Sequence, residues 1–154
     1  MEPILIRKAQ LSDLDTLLSF EQGIITAERP FDPTLKDGEI HYYDLAKYIM
    51  ADDVEVVVAE LDGKVISSGY ARIVVSKDYQ KFDRHCYLGF MYTVPQHRGK
   101  GINNLILEAL KAWTLQQGIN ELRLEVYNEN VPAIKAYEKA GFKPNLLEMR
   151  LGLK

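Results

Sequence analysis

Arg98-Gly99-Lys100-Gly101-Ile102-Asn103 joins a strand pattern to a helix pattern, and the architecture of the chain follows from that junction. Upstream, Tyr87 to Val94 is rich in aromatic and β-branched residues, which reads as a strand. Downstream, Ile102, Leu105, Ile106, Ala109, Leu110 and Trp113 fall at i, i+3, i+4, i+7, i+8 and i+11, one apolar face of a helix. A glycine-rich turn entering a helix leaves several N–H groups unpaired and pointing one way. With the positive end of the helix dipole, they form a seat for phosphate. Gly99 and Gly101 allow close backbone approach, and Arg98 and Lys100 add positive charge. Taken alone, the turn is equally well read as a simple loop. Two familiar phosphate loops do not match: Gly101 follows Lys100 where a P-loop needs Ser or Thr, and Asn104 stands where a Rossmann turn needs its third glycine.

The neighbours of the turn decide between these readings. Val94-Pro95-Gln96-His97-Arg98-Gly99-Lys100-Gly101 is followed by the helix, then by Leu122-Arg123-Leu124-Glu125-Val126 as a strand. Next come Asn130, Ile134, Tyr137 and Gly141-Phe142, separated by three, two and three residues. This ordered set resembles the GNAT superfamily of acyl-CoA-dependent N-acetyltransferases. The resemblance is good over residues 54–154 and poor over the first fifty. It implies an α/β (α+β) fold with a mixed, mostly antiparallel sheet of six to seven strands. About four helices would cover both faces, and the central strands would splay apart to admit the cofactor. Asn103 is a departure, because the family usually carries Gly or Ala there; a larger side chain must point aside or join the contact.

By itself, the pattern along the chain reads β–α–(α)–β–β–β–α–β–α–β. Ile4–Lys8 is a short strand, and Ser12 is placed to cap a helix with Leu11, Leu14, Leu17 and Leu18 facing inward. Residues 23–38 contain Pro30 and Pro33 and read as a long loop; 40–50 reads as a second helix. Strands 55–61 and 64–75 flank Asp62-Gly63, a strong hairpin signal. The helix beginning at Ile102 must return the chain to a strand at 121–126 parallel to the one before it. No linker divides the chain, so 1–154 reads as a single domain.

The resemblance implies acetyl-CoA as co-substrate. The turn from Arg98 through Gly99, Lys100, Gly101, Ile102 and Asn103 to Asn104 would hold the diphosphate. Main-chain groups of Met91, Tyr92 and Thr93 would bond the pantetheine arm as an added strand does. Asn130 would cap its helix or bond the same arm. Transfer requires a deprotonated amine, donors for the oxyanion and an acid for the departing thiolate. The strand at Met91–Thr93 supplies candidate oxyanion donors, and Tyr137 is the candidate acid; the competing reading is a core tyrosine sharing a face with Ala133, Ala136 and Ala140. Glu125 is the candidate base. It lies five residues before Asn130, a position that serves as base in the similar ribosomal-protein alanine acetyltransferases. Strand alternation equally allows it to face solvent or pair with Arg123.

Composition narrows the classes. Among 154 residues, 47% are hydrophobic and 27% charged, which suits one globular domain rather than a disordered chain. A net charge of -3 gives no general attraction to nucleic acid or anionic lipid. No apolar run has membrane-spanning length, and no residue spacing fits a metal site. Cys86, the single cysteine, excludes an intrachain disulfide and reads as a buried thiol in a cytoplasmic protein. The expected partner is a small-molecule or peptide amine, with a second copy of the chain a further candidate. Residues 23–53, which are rich in acidic side chains, would cover the acceptor. His41, Tyr42, Tyr43 and Tyr48 either line that pocket or form a plain aromatic helix face. The alternative function is an acyl-CoA-binding or sensing module of the same fold without turnover.

Overall fold

Asp62 and Gly63 both take positive φ, 52° and 74°, as a two-residue hairpin turn matched to strand twist requires. This turn sets the register of the sheet. The computed structural model describes residues 3–154, which fall into two compact units, one ending at Leu124 and one spanning Glu125–Lys154.

The first unit contains β1 (Leu5–Lys8), α1 (Leu14–Glu28), α2 (Leu45–Met50), β2 (Val54–Leu61), β3 (Lys64–Val75), β4 (Arg84–Thr93), α3 (Ile102–Gln116) and β5 (Leu122–Arg123). The strands lie in the order β1-β2-β3-β4-β5. The first four are antiparallel, and β5 is parallel to β4 after the α3 crossover. The sheet therefore has five strands, not six to seven. The 121–126 strand shrinks to Leu122–Arg123, which pair with Cys86 and Tyr87. Beyond Tyr87, β4 carries a bulge at Phe90 in its ladder with β3.

Both faces of the sheet are covered, because adjacent residues of a strand point to opposite sides. On one face, Leu17 and Phe20 of α1 and Leu45 and Ile49 of α2 pack on Val54, Val56, Val58, Tyr70 and Phe90. On the other face, α3 lies so close over Gly69 that a β-carbon there would sit 2.7 Å from Ile106 Cγ2. Each fully buried aliphatic or aromatic side chain contributes about 1.5–3 kcal/mol, so the sheet is held from both sides.

Three local expectations change. The helix start is organised by Asp13 rather than Ser12: the Asp13 carboxylate accepts the Gln10 N–H at 2.8 Å and is held by Arg7. The expected loop at 23–38 begins later, since α1 runs through Gly23 to Glu28. Gly23 is a contact residue there, because a β-carbon would lie 2.7 Å from the Tyr92 ring. The second helix starts at Leu45 instead of 40, with Asp44 Oδ1 accepting the Lys47 N–H.

The second unit contains α4 (Val131–Lys139). Asn130 caps it, its Oδ1 accepting the Ala133 N–H at 3.4 Å, and Pro132 occupies the first turn. Among the described residues no strand follows α4. Leu147, Met149, Leu151 and Leu153 alternate as a strand would, but alternation makes a strand only when an edge pairs with it.

Candidate functional site

The site begins with a defect in β4. Ser68 pairs with Tyr92 and Tyr70 pairs with Gly89, so Phe90 and Met91 together face the single residue Gly69. Phe90 takes φ 59°, a left-handed conformation that a bulky residue adopts only when its surroundings enforce it. The enforcing groups can be named. Ser68 Oγ donates to Phe90 O at 3.0 Å, and Ser67 Oγ donates to Tyr92 O at 2.7 Å while meeting Thr93 Oγ1 at 2.9 Å. Both serines are fully buried. Gly89 has no room for a side chain, since a β-carbon would lie 2.5 Å from the Tyr70 hydroxyl. Within this unit, the pairing of β4 with β5 stops at Tyr87, so Leu88–Thr93 has a ladder on the β3 side alone.

The strand reaches the glycine turn through one 3-10 turn, Pro95–His97. Gly99 and Gly101 take φ 77° and 79°, and Gly101 is the N-cap of α3. No atom lies within 4 Å of a β-carbon built at either position, so the backbone faces open space. The first intrahelical bond is from Leu105 N–H to Gly101 O at 3.4 Å, so the N–H groups of Ile102, Asn103 and Asn104 precede the helical ladder. Buried Ile102 anchors this helix start, and Asn103 and Asn104 are exposed. Arg98 has a more definite role than general positive charge. Its Nε donates to Thr93 O at 2.8 Å and its guanidinium lies 5.4 Å from the Tyr92 ring centre, tying the turn to the strand end. Lys100 is exposed beside the two glycines.

Met91, Tyr92 and Thr93 thus lie at the strand end, and Arg98 to Asn104 form the turn and helix start that Arg98 ties to it. Glu125, Asn130 and Tyr137 belong to the second unit. There the Tyr137 ring meets Phe142 edge-on at 5.8 Å, and Phe142 N–H donates to Tyr137 O at 3.0 Å. In the first unit, Arg123 bonds Glu121 at 2.8 Å and Gln80 at 2.8 Å. Burial pushes the Cys86 thiol up, which suits an inert core thiol rather than a nucleophile.

A second cluster lies on the α1 side of the bulge. Tyr43 packs edge-on against Phe90 at 5.4 Å and Tyr70 at 5.5 Å, and burial pushes its hydroxyl well above the usual phenol range. Burial also raises the Glu28 carboxyl, opposed by a hydrogen bond from Tyr42, and nearby Asp32 raises it further. The Glu21 carboxylate is completely buried and accepts the N–H groups of Tyr42 at 2.7 Å and Tyr43 at 2.9 Å. Residues 39–43 are therefore a pinned loop, which explains why they do not begin the second helix. Residue types alone offer one sign of the serine clamp, the small polar run Ser67-Ser68-Gly69 inside an apolar strand. Glu21 gives no such sign. Among the described residues no group of His, Cys, Asp and Glu is placed to hold a metal, and no helix is long and apolar enough to cross a membrane.

Fold and site define an α/β protein in which a bulged strand is followed by a glycine turn and a helix start. A family model described as acetyltransferase (GNAT) family matches residues 22–142, and the chain belongs to that family. Streptothricin acetyltransferase from Streptomyces lavendulae is 31% identical over 125 residues, covering 78% of this chain and 63% of that protein. The chain thus spans less than two thirds of that relative. Among solved structures, a tetramutant of the BH1408 protein from Bacillus halodurans superposes with a TM-score of 0.85 at 18% identity, over 97% of this chain and 99% of that one. A predicted acetyltransferase with acetyl-CoA from Clostridium acetobutylicum gives 0.71 at 22% identity, over 98% and 97%. At such identities the structures show a shared fold.

Proposed function

We propose that the chain is a single-domain N-acetyltransferase that moves the acetyl group of acetyl-CoA to a primary amine by direct attack in a ternary complex. One observation carries this reading: the bulged half of β4, laddered on the β3 side alone, leads through one short turn at Pro95–His97 into the Gly99–Gly101 turn and the α3 N-terminus. A strand edge suits the amide-rich pantetheine arm, and the amides at the helix start suit a diphosphate. The streptothricin acetyltransferase relative and the neighbour structure with acetyl-CoA support the same reading.

In this mechanism the chain does four things. Amides of Gly99 to Asn104 neutralise the diphosphate. Main-chain N–H groups of Met91–Thr93 stabilise the oxyanion, where fixed donors act most strongly. Tyr137 gives its proton to the departing thiolate, a role a phenol with reference pKa about 10 can fill. Glu125 is the acceptor of the amine proton, through a water, that family position suggests. Thiol release from acetyl-CoA across a panel of amines tests the proposal, and amine-dependent release is the expected result. Tight acetyl-CoA binding with no release for any amine would instead identify a binding or sensing module.

A further inference from the structure

The pinned loop between α1 and α2 holds a second pair of groups that the mechanism above does not use. Glu21 Oε1 lies 2.8 Å from His41 Nδ1, while Oε2 takes the two backbone N–H groups of Tyr42 and Tyr43. The carboxylate is fully buried, whereas the imidazole side chain is 52% exposed. One nitrogen of the ring is thus committed to a buried anion and the ring remains accessible. Its Nε2 lies 3.6 Å from Glu39. His41, Glu39 and Tyr42 line an open groove of about 550 Å³ together with Thr34, Leu35 and Lys36. The same loop reaches the bulge two residues later, where Tyr43 packs on Phe90. A buried carboxylate behind an accessible imidazole fixes the tautomer and stabilises the imidazolium, as a proton acceptor requires.

We propose that His41, oriented by Glu21, takes the proton from the acceptor ammonium, and that this ammonium enters through the groove beside Glu39. The inference rests on the acetyltransferase reading and moves the base from Glu125 to His41. The step balances. His41 Nε2 takes one proton from R–NH3⁺, giving R–NH2 and imidazolium, which later returns its proton to solvent. The amine nitrogen forms the C–N bond to the acetyl carbonyl, the C–S bond breaks, and the second nitrogen proton ends on the coenzyme A sulfur. The charged groups around His41 are Glu21 from α1, Glu39 on its own loop, and Lys36, which lines the same groove. Arg29, at the end of α1, donates to the carbonyls of Lys36 and Gly38 and so braces the far side of the loop. The hydrogen bond that His41 Nδ1–H donates to Glu21 raises the His41 pKa against the opposing effect of desolvation, and the charges of Glu21 and Glu39 act in the same direction as the bond.

The test is the pH profile of kcat/KM for amine-dependent thiol release, measured on the folded chain with the best amine of the panel. The wild type should show a rising limb centred above the ordinary imidazole value. His41→Gln should lose that limb and fall by roughly tenfold or more near neutral pH. In His41→Ala, added imidazole should restore part of the rate. Glu21→Gln keeps an oxygen for the loop N–H groups and should move the limb to lower pH, which loop packing alone would not do. Circular dichroism melts identify any variant that fails to fold, and imidazole rescue then carries the decision. A limb that persists in His41→Gln but disappears in Glu125→Gln overturns the proposal and leaves the acetyltransferase reading standing. Absence of thiol release from the wild type with every amine overturns both.

Discussion

Replacing Gly101 separates the ligand role of the turn from its structural role. The position has φ 79°, and a β-carbon would meet no atom within 4 Å. Gly101→Ala therefore incurs only the left-handed backbone cost, about 1–2 kcal/mol. For a chain of this length that lowers Tm by about 2–8 °C. Gly101→Glu carries the same backbone cost, but its carboxylate sits at the positive end of α3 and regains about 0.3–1 kcal/mol. Without ligand it should melt no lower than Gly101→Ala. A bound diphosphate reverses the order. Two like charges about 6 Å apart repel by about 3 kcal/mol at an effective dielectric of about 20. Gly101→Glu should then bind coenzyme A about a hundredfold more weakly than Gly101→Ala. Calorimetric titration gives the affinities and thermal melts of the free proteins give the stabilities. Equal affinity of the two variants would refute the phosphate seat, whatever their stabilities.

Gly69→Val should destabilise the protein by about 1–3 kcal/mol through overpacking, since a β-carbon there lies 2.6 Å from Met91 Sδ and 2.7 Å from Ile106 Cγ2. An unchanged urea midpoint would show that α3 does not lie so close. Tyr137→Phe should lower turnover at least about tenfold with little change in coenzyme A affinity; an unaltered rate at saturating substrates removes the phenol from the acid role. His85 is buried beside Ser76, its Nδ1 2.8 Å from Ser76 Oγ, and burial, then Arg123, lowers its pKa below the ordinary 6.5. The unfolded chain takes this proton first, so the stability from neutral His85 is present above about pH 6.5 and is lost as pH falls towards the lower folded value. His41 has a raised pKa and the opposite sign, contributing below the unfolded value and fading as pH rises through the folded one. Denaturation of His85→Gln between pH 7 and 5 should thus lose less stability than the wild type; parallel curves would contradict the assignment.

Much of the local backbone around the candidate site was legible in residue types. Gly99 and Gly101 announce positive φ, Asp62-Gly63 announces the hairpin, and the ladder from Ile102 to Trp113 announces α3. These are local effects, each decided within a few residues. Where reading by type went astray, a distant partner decided instead. Gly23 looks like a helix breaker but lies inside α1, because the Tyr92 ring needs the space. The strand expected at 121–126 pairs only through Leu122 and Arg123, with Cys86 and Tyr87 of β4, because a strand extends only as far as a partner edge accepts it.

Periodicities, turn chemistry and the order of motifs that place this chain in its family are written along the chain, since they depend on backbone preferences and spacing. Packing between distant segments sets the bulge of β4 under two buried serines and the contact of buried Glu21 with His41 beside a groove. Strain at Phe90 and a desolvated carboxylate at Glu21 are both unfavourable alone. They persist because hydrogen-bond partners from other elements hold them, and such partners are set by packing across the fold rather than by any local pattern.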